Sequence, residues 1–296
     1  MKNILFDTDI GCDCDDAGAL VILKSMVESG DIRLLSVTSA TTMEGAEHTI
    51  EAILRYYGMS VPIGVMTGSS FMCAGNYNRY ARDVKDIFPC EPKTVDAVAL
   101  IRKTLVEVSE ACTLITVAPQ RNLARFLASK GDDISPLNGI ELAKSKLKEI
   151  VIMGGTFLPE ERLAEFEGKK ISVEWNIEQD ISAARYVADN CPVNIVYCPF
   201  ELGYDIETGR NLPKGSPARL CYDIRSGLTR ASWDPCATYY GAFGTGEIFS
   251  LSDRGKVSFD EKGKSSFTVS ENGLHRILQA KVPSLEIERE LDDWMK

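Results

Sequence analysis

The sequence predicts an α/β fold with a single doubly wound, mostly parallel sheet and a decorated C-terminal third. Short apolar runs alternate with amphipathic helical segments along most of the 296 residues, and this alternation is typical of βαβ units. Polar clusters follow several of the apolar runs. No repeat, linker or break in composition divides the chain, so we expect one domain over residues 1–296.

The strands are predicted from short apolar runs that end at polar residues or glycine. They are assigned to Asn3–Phe6, Arg33–Thr38, Val61–Val65, Thr113–Val117, Glu149–Met153 and Val193–Cys198. In the tail, a hairpin is predicted from Lys256–Phe259 and Ser266–Val269.

The helices are predicted from apolar residues three and four positions apart. After the first strand, one helix face carries Ala19, Ile22, Leu23, Met26 and Val27. The other helical segments are Glu47–Tyr57, Asp96–Glu107, Asn122–Ser129, Ser182–Asn190 and Trp233–Phe243.

The composition excludes several classes of function. A net charge of −10 argues against nucleic acid or an anionic membrane as a partner. No apolar run is long enough to span a membrane, and only a few apolar residues separate Lys2 from Asp7, so we expect a cytoplasmic protein without a secretory signal. The nine cysteines lack paired CxxC spacing, which predicts neither a disulfide framework nor a thiolate zinc site.

The segment Asp7–Asp16 carries five carboxylates in ten residues, between the first strand and the first helix. Carboxylates this close repel one another, and a divalent cation with oxygen ligands is the simplest stabilising partner. Cys12 and Cys14 lie in the same loop, but hard cations avoid sulfur and we do not expect either to be a ligand.

Two other kinds of acidic loop compete with this interpretation. An EF-hand is excluded because Gly11 and Gly18 occupy positions that need oxygen ligands. A haloacid-dehalogenase-like phosphatase also begins with a DxD pair, but Ile10-Gly11 follows it where that class usually has Gly-Thr. The nearest later acidic pair, Asp132-Asp133, lies in a loop after a helix, which leaves the phosphatase as a less favoured alternative.

The loop resembles the DxDxGxDD stretch of the inosine-uridine nucleoside hydrolase family, with two extra residues before the paired aspartates. Later segments resemble that family's motifs in order: Val117–Ala124 its GPLTNLA turn, Ile152–Gly155 its MGG, Glu174–Asn176 its ExN, Asp180 with Ala183-Ala184 its DPxAA, and Ser232–Pro235 its HDP. The resemblance spans Ile4 to Gly241 and implies a nucleoside hydrolase-like, Rossmann-like fold.

The resemblance also implies a Ca²⁺ site and a general base. Asp9, Asp16 and Asp234 would be the carboxylate ligands, and the backbone carbonyl of Val117 would complete the protein set. Asp9 would also remove a proton from the attacking water. A simpler alternative is that Asp15, Asp16 and Asp234 only cap helices, since Asp234 precedes Pro235 in a pattern typical of a helix start.

The substrate contacts implied by the resemblance come from several strand ends. Asp15 would accept a hydrogen bond from the ribose 2′-hydroxyl, Glu174 and Asn176 would hold the far hydroxyls, and Met153 and Asp234 would line the sugar pocket. Considered without the family, Glu174 and Asn176 resemble a surface pair. Asp7 and Asp13 are assigned supporting roles, Asp7 by accepting backbone hydrogen bonds.

The sequence departs from the family pattern at two places. Many members have a histidine before the late aspartate as the acid for the leaving base, and this chain has Trp233. Both histidines, His48 and His275, are predicted to be structural. Trp233 would instead stack on a purine, with Trp175 either a second platform or a core residue.

The second departure is the missing ribose-contacting asparagine after the second strand. Its segment offers Thr41, Thr42 and Glu44 as possible replacements. The sequence therefore predicts Ca²⁺-dependent hydrolysis of the N-glycosidic bond of a ribonucleoside, with a preference for purines, by a homodimer or homotetramer. The alternatives are a metal- and ribose-binding member with little turnover, a member acting on a different N-riboside, and the phosphatase.

Overall fold

The computed structural model describes residues 1–11, 13–68, 79–166 and 168–296. Its strands are β1 Lys2–Thr8, β2 Ile32–Ser39, β3 Ile63–Val65, β4 Thr94–Asp96, β5 Cys112–Thr116, β6 Leu147–Met153, β7 Glu165–Phe166, β8 Lys169–Lys170, β9 Asn194–Cys198, β10 Glu207–Thr208, β11 Arg230–Ala231, β12 Phe249–Leu251, β13 Gly255–Phe259, β14 Ser265–Val269 and β15 His275–Ala280.

The helices cover the faces of the sheet and connect its strands. They are α1 Asp15–Glu28, α2 Ala46–Tyr56, α3 Arg79–Ile87, α4 Ala97–Glu107, α5 Arg121–Ala128, α6 Gly139–Lys146, α7 Trp175–Gln179, α8 Ile181–Asn190, α9 Phe200–Gly203, α10 Pro217–Arg225, α11 Trp233–Phe243 and α12 Ser284–Asp293. Among the described residues, no helix is both long and apolar enough to cross a membrane.

The central sheet confirms the predicted mostly parallel α/β fold. Within the described ranges its order is β14-β13-β15-β9-β6-β5-β1-β2-β3-β4, with β12 paired to β15. The strands from β15 to β4 run parallel to their neighbours, whereas β12, β13 and β14 pair antiparallel at one edge. A central parallel strand has both faces covered, and Ile4, Leu5 and Phe6 of β1 are accordingly all buried.

Three features of the fold differ from the sequence prediction. The first helix, α1, is buried around nearly its whole circumference rather than along one stripe, because it packs against α11 as well as α2, α10 and β2. The segment His275–Ala280, not predicted as a strand, enters the sheet between β9 and β13 as β15. The sequence prediction also lacks the helices α3, α6, α7, α9, α10 and α12.

This topology places the predicted polar clusters at one edge. Strands β6, β5, β1 and β2 are consecutive in the sheet, and their carboxyl ends lead into Gly154, Val117, Asp9 and Ala40. In open parallel sheets, ligands bind outside the carboxyl ends of the strands. The fold therefore directs attention to the loops at this edge.

Candidate active site

Asp7 joins three strands and one helix beneath the site. Its Oδ1 accepts hydrogen bonds from Thr38 Oγ1 at 2.6 Å and from Asn122 Nδ2 at 2.9 Å, and its Oδ2 accepts one from Thr116 Oγ1 at 3.0 Å. The donors are side chains rather than the backbone groups predicted for it. Burial raises the pKa of Asp7 to about 6, although these three hydrogen bonds oppose the change.

The acidic loop after β1 depends on a close turn at Gly11. Its φ is +115°, and a Cβ there would lie 2.7 Å from Met43 Sδ, so a side chain would be both strained and crowded. The buried Tyr80 hydroxyl accepts a hydrogen bond from the Gly11 N–H and donates one to the Asp13 carbonyl. Cys12, between them, lies outside the described residues, and Cys14 is buried with its Sγ 3.4 Å from Ser226 Oγ.

Asp15, Asp16 and Asp234 form a compact acidic cluster at the N-termini of two helices. Each carboxylate offers an oxygen within 4.8 Å of the others, and all three residues are buried. Asp15 and Asp16 begin α1, while Asp234 lies in the first turn of α11. The first turn of a helix favours negative charge, so both helix termini partly offset the repulsion.

The cluster overlaps the predicted ligand set without matching it. Asp16 and Asp234 belong to both, but Asp15 is in the cluster and Asp9 is outside it. Asp9 is buried at 5% exposure and lines the same cavity. Because Asp15 had been predicted from the family as a sugar contact only, its position beside Asp16 and Asp234 is a finding of the structure.

Burial and mutual repulsion raise the pKa values of Asp9, Asp15, Asp16 and Asp234. Asp15 is raised to about 7, first by burial and then by Asp13. The pKa values of Asp9, Asp16 and Asp234 lie well above the ordinary range, again chiefly because of burial and then because of the neighbouring aspartates. Within the described part of the chain, no lysine or arginine forms an ion pair with these four carboxylates.

These observations fit a divalent cation. Arg230 pairs with Asp13 and only partly offsets the raised pKa of Asp15. Several buried carboxylates that converge without an ion pair of their own are the arrangement that a hard cation with oxygen ligands stabilises. The cluster of Asp15, Asp16 and Asp234 can therefore bind a metal ion. Capping alone does not account for it, since neither the Asp15 nor the Asp16 side chain caps its own helix.

The opposite wall of the cavity is polar and comes from the start of α7. Glu174 is buried at 2% exposure and caps α7, accepting hydrogen bonds from the backbone N–H groups of Asn176 at 2.8 Å, Ile177 at 3.2 Å and Gly155 at 3.1 Å. Burial raises its pKa to about 7 despite these donors. Glu174 and Asn176 are therefore not the surface pair that the isolated sequence suggests.

Asn176 connects three of the predicted site residues. Its Nδ2 lies 3.4 Å from the carbonyl of Val117, 3.3 Å from the carbonyl of Met153 and 3.3 Å from Met153 Sδ. Val117 and Met153 follow or end the neighbouring strands β5 and β6. The amide therefore connects these strand ends to the start of α7.

A third wall of the cavity is aromatic. Trp233 is 7% exposed, stacks on Phe200 with ring centroids 5.2 Å apart, and meets Phe166 edge-on at 5.7 Å. Its Nε1 donates a 2.9 Å hydrogen bond to the Phe200 carbonyl. Trp175 lines the same cavity and is 39% exposed, so its predicted alternative as a core residue is wrong.

Sequence reasoning missed Arg230, which enters the cavity from β11. Its Nε lies 2.9 Å from Asp13 Oδ1, and its Nη2 donates to Asp13 Oδ2. The guanidinium carbon lies 5.2 Å from the Trp233 ring centroid and 5.4 Å from that of Phe166. Only the chemistry of Asp13, an extra carboxylate in need of a cation, hinted at such a partner.

The residues predicted as metal ligands, general base and direct substrate contacts all line one cavity of about 350 Å³, a volume suited to a small ligand. Its lining comprises Asp9, Asp13, Asp15, Asp16, Val117, Met153, Phe166, Lys169, Ile171, Val173, Glu174, Trp175, Asn176, Glu178, Phe200, Arg225, Arg230, Trp233 and Asp234. Carboxylates, polar side chains and aromatic rings therefore line the same cavity.

The residues considered as substitutes for the missing asparagine lie elsewhere. Glu44 is exposed and lies 3.9 Å from Arg82 and 3.7 Å from Lys85, and neither Thr41 nor Thr42 belongs to the cavity lining. His275 is buried in β15 and accepts a 2.9 Å hydrogen bond from the Val257 N–H.

A family profile described as inosine-uridine preferring nucleoside hydrolase matches residues 4–248. No curated protein matches the chain.

Three solved structures share the fold. An inosine-uridine preferring nucleoside hydrolase from Bacillus anthracis is 17% identical with a TM-score of 0.72, covering 100% of this chain and 98% of its own. A purine-preferring ribonucleoside hydrolase from Gardnerella vaginalis is 15% identical with a TM-score of 0.69, covering 100% and 99%. The type III effector protein XopQ, solved with adenosine diphosphate ribose, is 16% identical with a TM-score of 0.68, covering 99% and 92%.

Proposed function

Because the chain belongs to the inosine-uridine preferring nucleoside hydrolase family, whose members are N-glycosyl hydrolases, we propose that it hydrolyses a ribonucleoside to the free base and ribose, in a Ca²⁺-dependent reaction. The observation that carries this proposal is a single cavity in which four buried aspartates face polar and aromatic walls. Cleavage of an N-glycosidic bond needs an activated water molecule, groups that bind the sugar and a surface that binds the base, and these three parts of the cavity supply them in the proposal.

The residues proposed to hold the cation are Asp16 and Asp234, with Asp9 and the Val117 carbonyl completing the set. Asp16 and Asp234 are supported both by the motif and by the compact cluster. When bound there, a cation would supply positive charge among the carboxylates and lower the pKa of a nearby water molecule. Oxygen ligands without sulfur or imidazole favour calcium over a transition metal.

Asp9 acts as the general base in this proposal. Its carboxylate accepts the proton of the attacking water while the water oxygen bonds to the ribose C1′. Asp15 accepts a hydrogen bond from the 2′-hydroxyl, and Glu174 and Asn176 hold the far hydroxyls. Met153 and Asp234 complete the sugar pocket, and the buried position of Glu174 keeps water from competing for its hydrogen bonds.

The base is proposed to occupy the aromatic wall, which supports a preference for purines. Phe200 stacks on Trp233 and the Arg230 guanidinium carbon lies 5.2 Å from its ring centroid, so the proposed contact of a purine with this indole is confined to the part that lines the cavity. Trp175 is the more exposed of the two indoles and offers the larger contact area to a ligand. A two-ring base covers more of such a wall than a pyrimidine does.

The proposal is tested by incubating the protein with adenosine, inosine, guanosine, uridine and cytidine in the presence of Ca²⁺. Release of free base together with an equal amount of reducing sugar, fastest for the purines, is the expected result. Orthophosphate release from sugar phosphates with Mg²⁺, and no release of base, would instead identify a phosphatase.

A second candidate is an N-riboside-binding protein with little turnover. It is favoured by Trp233 in place of histidine, and by the absence of Thr41, Thr42 and Glu44 from the cavity lining formed by the described residues. Such a protein would be silent on every nucleoside in the panel while nucleosides still raise its melting temperature. XopQ, which was solved with adenosine diphosphate ribose, makes that compound a reasonable addition to the panel.

A further inference from the structure

We propose that Arg230, oriented by Asp13, is the catalytic group that stabilises the departing base. This inference rests on the proposed function and deepens it, because it identifies a group for the leaving base at a site that has tryptophan instead of histidine. The carrying observation is the position of one guanidinium in the cavity, paired with Asp13 and lying over Trp233.

Arg230 lies beside the aromatic residues of the cavity. The cavity has an acidic end, formed by Asp9 and the cluster, and an aromatic wall. The guanidinium carbon of Arg230 lies within 5.4 Å of the ring centroids of both Phe166 and Trp233, so Arg230 belongs to the aromatic wall. The flat apolar faces of a nucleobase fit that wall, and with the base placed there Arg230 lies beside it. Its charge also lowers the pKa of Asp15, the proposed partner of the ribose 2′-hydroxyl.

Asp13 fixes the position of the Arg230 guanidinium group. Asp13 engages Nε and Nη2, which fixes the guanidinium plane. Among the described residues no protein acceptor engages Nη1, which is thus available to a ligand in the cavity. Preorganised donors of this kind are effective because they need no rearrangement when charge develops.

Arg230 carries a positive charge and shares its acidic partner with Arg225. Arg225 Nε lies 3.7 Å from Asp13 Oδ1, so two guanidinium groups share one carboxylate. Although burial lowers the pKa of Arg230, Asp13 raises it further above its ordinary value, and the side chain stays charged.

The chemistry follows from that permanent charge. The water oxygen bonds to C1′ and its proton passes to Asp9, while the C1′–N bond breaks and its electron pair goes to the base nitrogen. Arg230 hydrogen-bonds to an acceptor atom of the base and stabilises the negative charge that develops there. The base finally takes a proton from solvent, because an arginine does not release its own.

The longer acidic loop supplies the carboxylate that positions Arg230. The loop is two residues longer than the family motif, and Asp13 lies in the extra length. Arg230 is only three residues from Trp233 along the chain. Asp13 is thus a positioning residue, and its effect on the reaction is exerted through Arg230.

The test compares Arg230→Gln with wild type on three Ca²⁺-saturated substrates. Inosine has a poor leaving group, whereas 7-methylguanosine leaves as a neutral base and p-nitrophenyl riboside leaves as a stable anion. We expect kcat on inosine to fall about 100-fold, the usual loss for one preorganised donor, and kcat on the other two to change less than about 3-fold. Arg230→Lys keeps the positive charge but loses the planar guanidinium with its paired donors. Its kcat on inosine should fall less than that of Arg230→Gln, and its kcat on the other two substrates should again change little.

Matched controls separate a catalytic role from loss of an ion pair. Arg121→Gln removes a comparably buried arginine–aspartate pair, with Arg121 Nε 2.8 Å from Asp180 Oδ2, outside the cavity lining. It should leave the ratio of rates on the three substrates unchanged. Asp13→Asn should reproduce the selectivity of Arg230→Gln, because it releases the guanidinium from its position.

The outcomes distinguish the inference from the proposed function. Wild type that hydrolyses none of the substrates contradicts the proposed function itself. Active wild type with equal losses in Arg230→Gln on all three substrates, or with no loss on inosine, overturns only the role of Arg230. If Arg230→Gln does not fold, Arg230→Lys and Asp13→Asn decide the matter by the same ratio of rates.

Discussion

The backbone N–H of Asp234 donates a 3.1 Å hydrogen bond to Oδ2 of Asp15. This bond joins the first turns of α11 and α1, which lie 219 positions apart in the chain and pack against each other. Two helix N-termini therefore converge on one group of buried carboxylates. Their dipoles lessen the repulsion among the aspartates, but the raised pKa of Asp15, about 7, indicates that repulsion and burial still dominate.

Replacing Asp234 by asparagine should stabilise the metal-free protein and remove its response to Ca²⁺. The substitution deletes one charge from the crowded cluster and one proposed ligand at once. We expect Ca²⁺ to raise the melting temperature of wild type by several degrees, and that of Asp234→Asn by much less. Scanning calorimetry with EDTA and with Ca²⁺ measures both effects. An equal Ca²⁺ response in the two proteins would rule out Asp234 as a ligand.

Replacing Asp7 by asparagine should destabilise the fold by about 1–3 kcal/mol, because an amide has one acceptor oxygen where the carboxylate receives three side-chain donors. The Nδ2 group of the asparagine would replace one of the carboxylate oxygens, so at least one of the three donors would lose its acceptor. Urea unfolding at pH 7.5 measures the change in the free energy of unfolding. Thr38→Val, which deletes only one donor, is the matched control and should cost less; a larger loss in the control would contradict the account of Asp7.

Removing either indole of the cavity should weaken purine turnover, but in different ways. Trp175→Ala should raise KM for inosine by about 3- to 10-fold with little effect on folding, since this side chain is 39% exposed. Trp233→Ala should slow purines more than pyrimidines and also lower the melting temperature, because Trp233 packs on Phe200 and Phe166.

Steady-state kinetics on inosine and uridine separates these effects. Trp294→Ala removes an indole that does not line the cavity and should leave both KM values near those of wild type. Equal losses on inosine and uridine in Trp233→Ala would argue against a base-facing role for that indole.

His275 should make the protein less stable in mild acid. Burial, with a smaller contribution from Lys256, lowers its pKa from an ordinary 6.5 to about 4. Between these values the unfolded chain binds a proton that the folded protein does not, so the free energy of unfolding falls as the pH falls from 6.5 to 4. The contribution of this one group is about 2–3 kcal/mol at pH 4 and vanishes above pH 7.

The variant His275→Asn isolates that contribution. Its Oδ1 can accept the Val257 N–H bond in place of the histidine Nδ1, and it does not titrate. Chemical denaturation at pH 7.5 and pH 4.5 should therefore give a smaller acid-induced loss in the variant than in wild type. Equal losses would show that His275 is not held neutral by the fold.

The sequence predicted the sheet and its polar edge because both depend on local patterns. Asp9 and Val117 each follow a buried apolar run, and parallel strands bring such positions to the same edge without further information. The extent of burial was less predictable. One face of α1 was predicted to be buried, but α11 packs against α1 and buries more of its surface. The residues of α1 alone do not indicate that a helix so distant in sequence packs against it.

The same limit applies to the site. Glu174 and Asn176 could be assigned to the cavity only through the family resemblance, since three residues of sequence do not reveal that they are buried. The pairing of Asp13 with Arg230 links positions 217 residues apart, and only the fold brings them together. Trp175 illustrates the reverse case, where an aromatic residue expected in the core is exposed in the cavity.

The most direct test of the central claim measures base and ribose release from inosine by protein stripped of metal with a chelator, before and after addition of Ca²⁺, alongside Asp9→Asn. The account predicts little release before addition, recovery of equal amounts of hypoxanthine and ribose afterwards, and at least about a 1000-fold lower kcat for folded Asp9→Asn. Full activity in the stripped wild type, or most of the wild-type activity in Asp9→Asn, would contradict it.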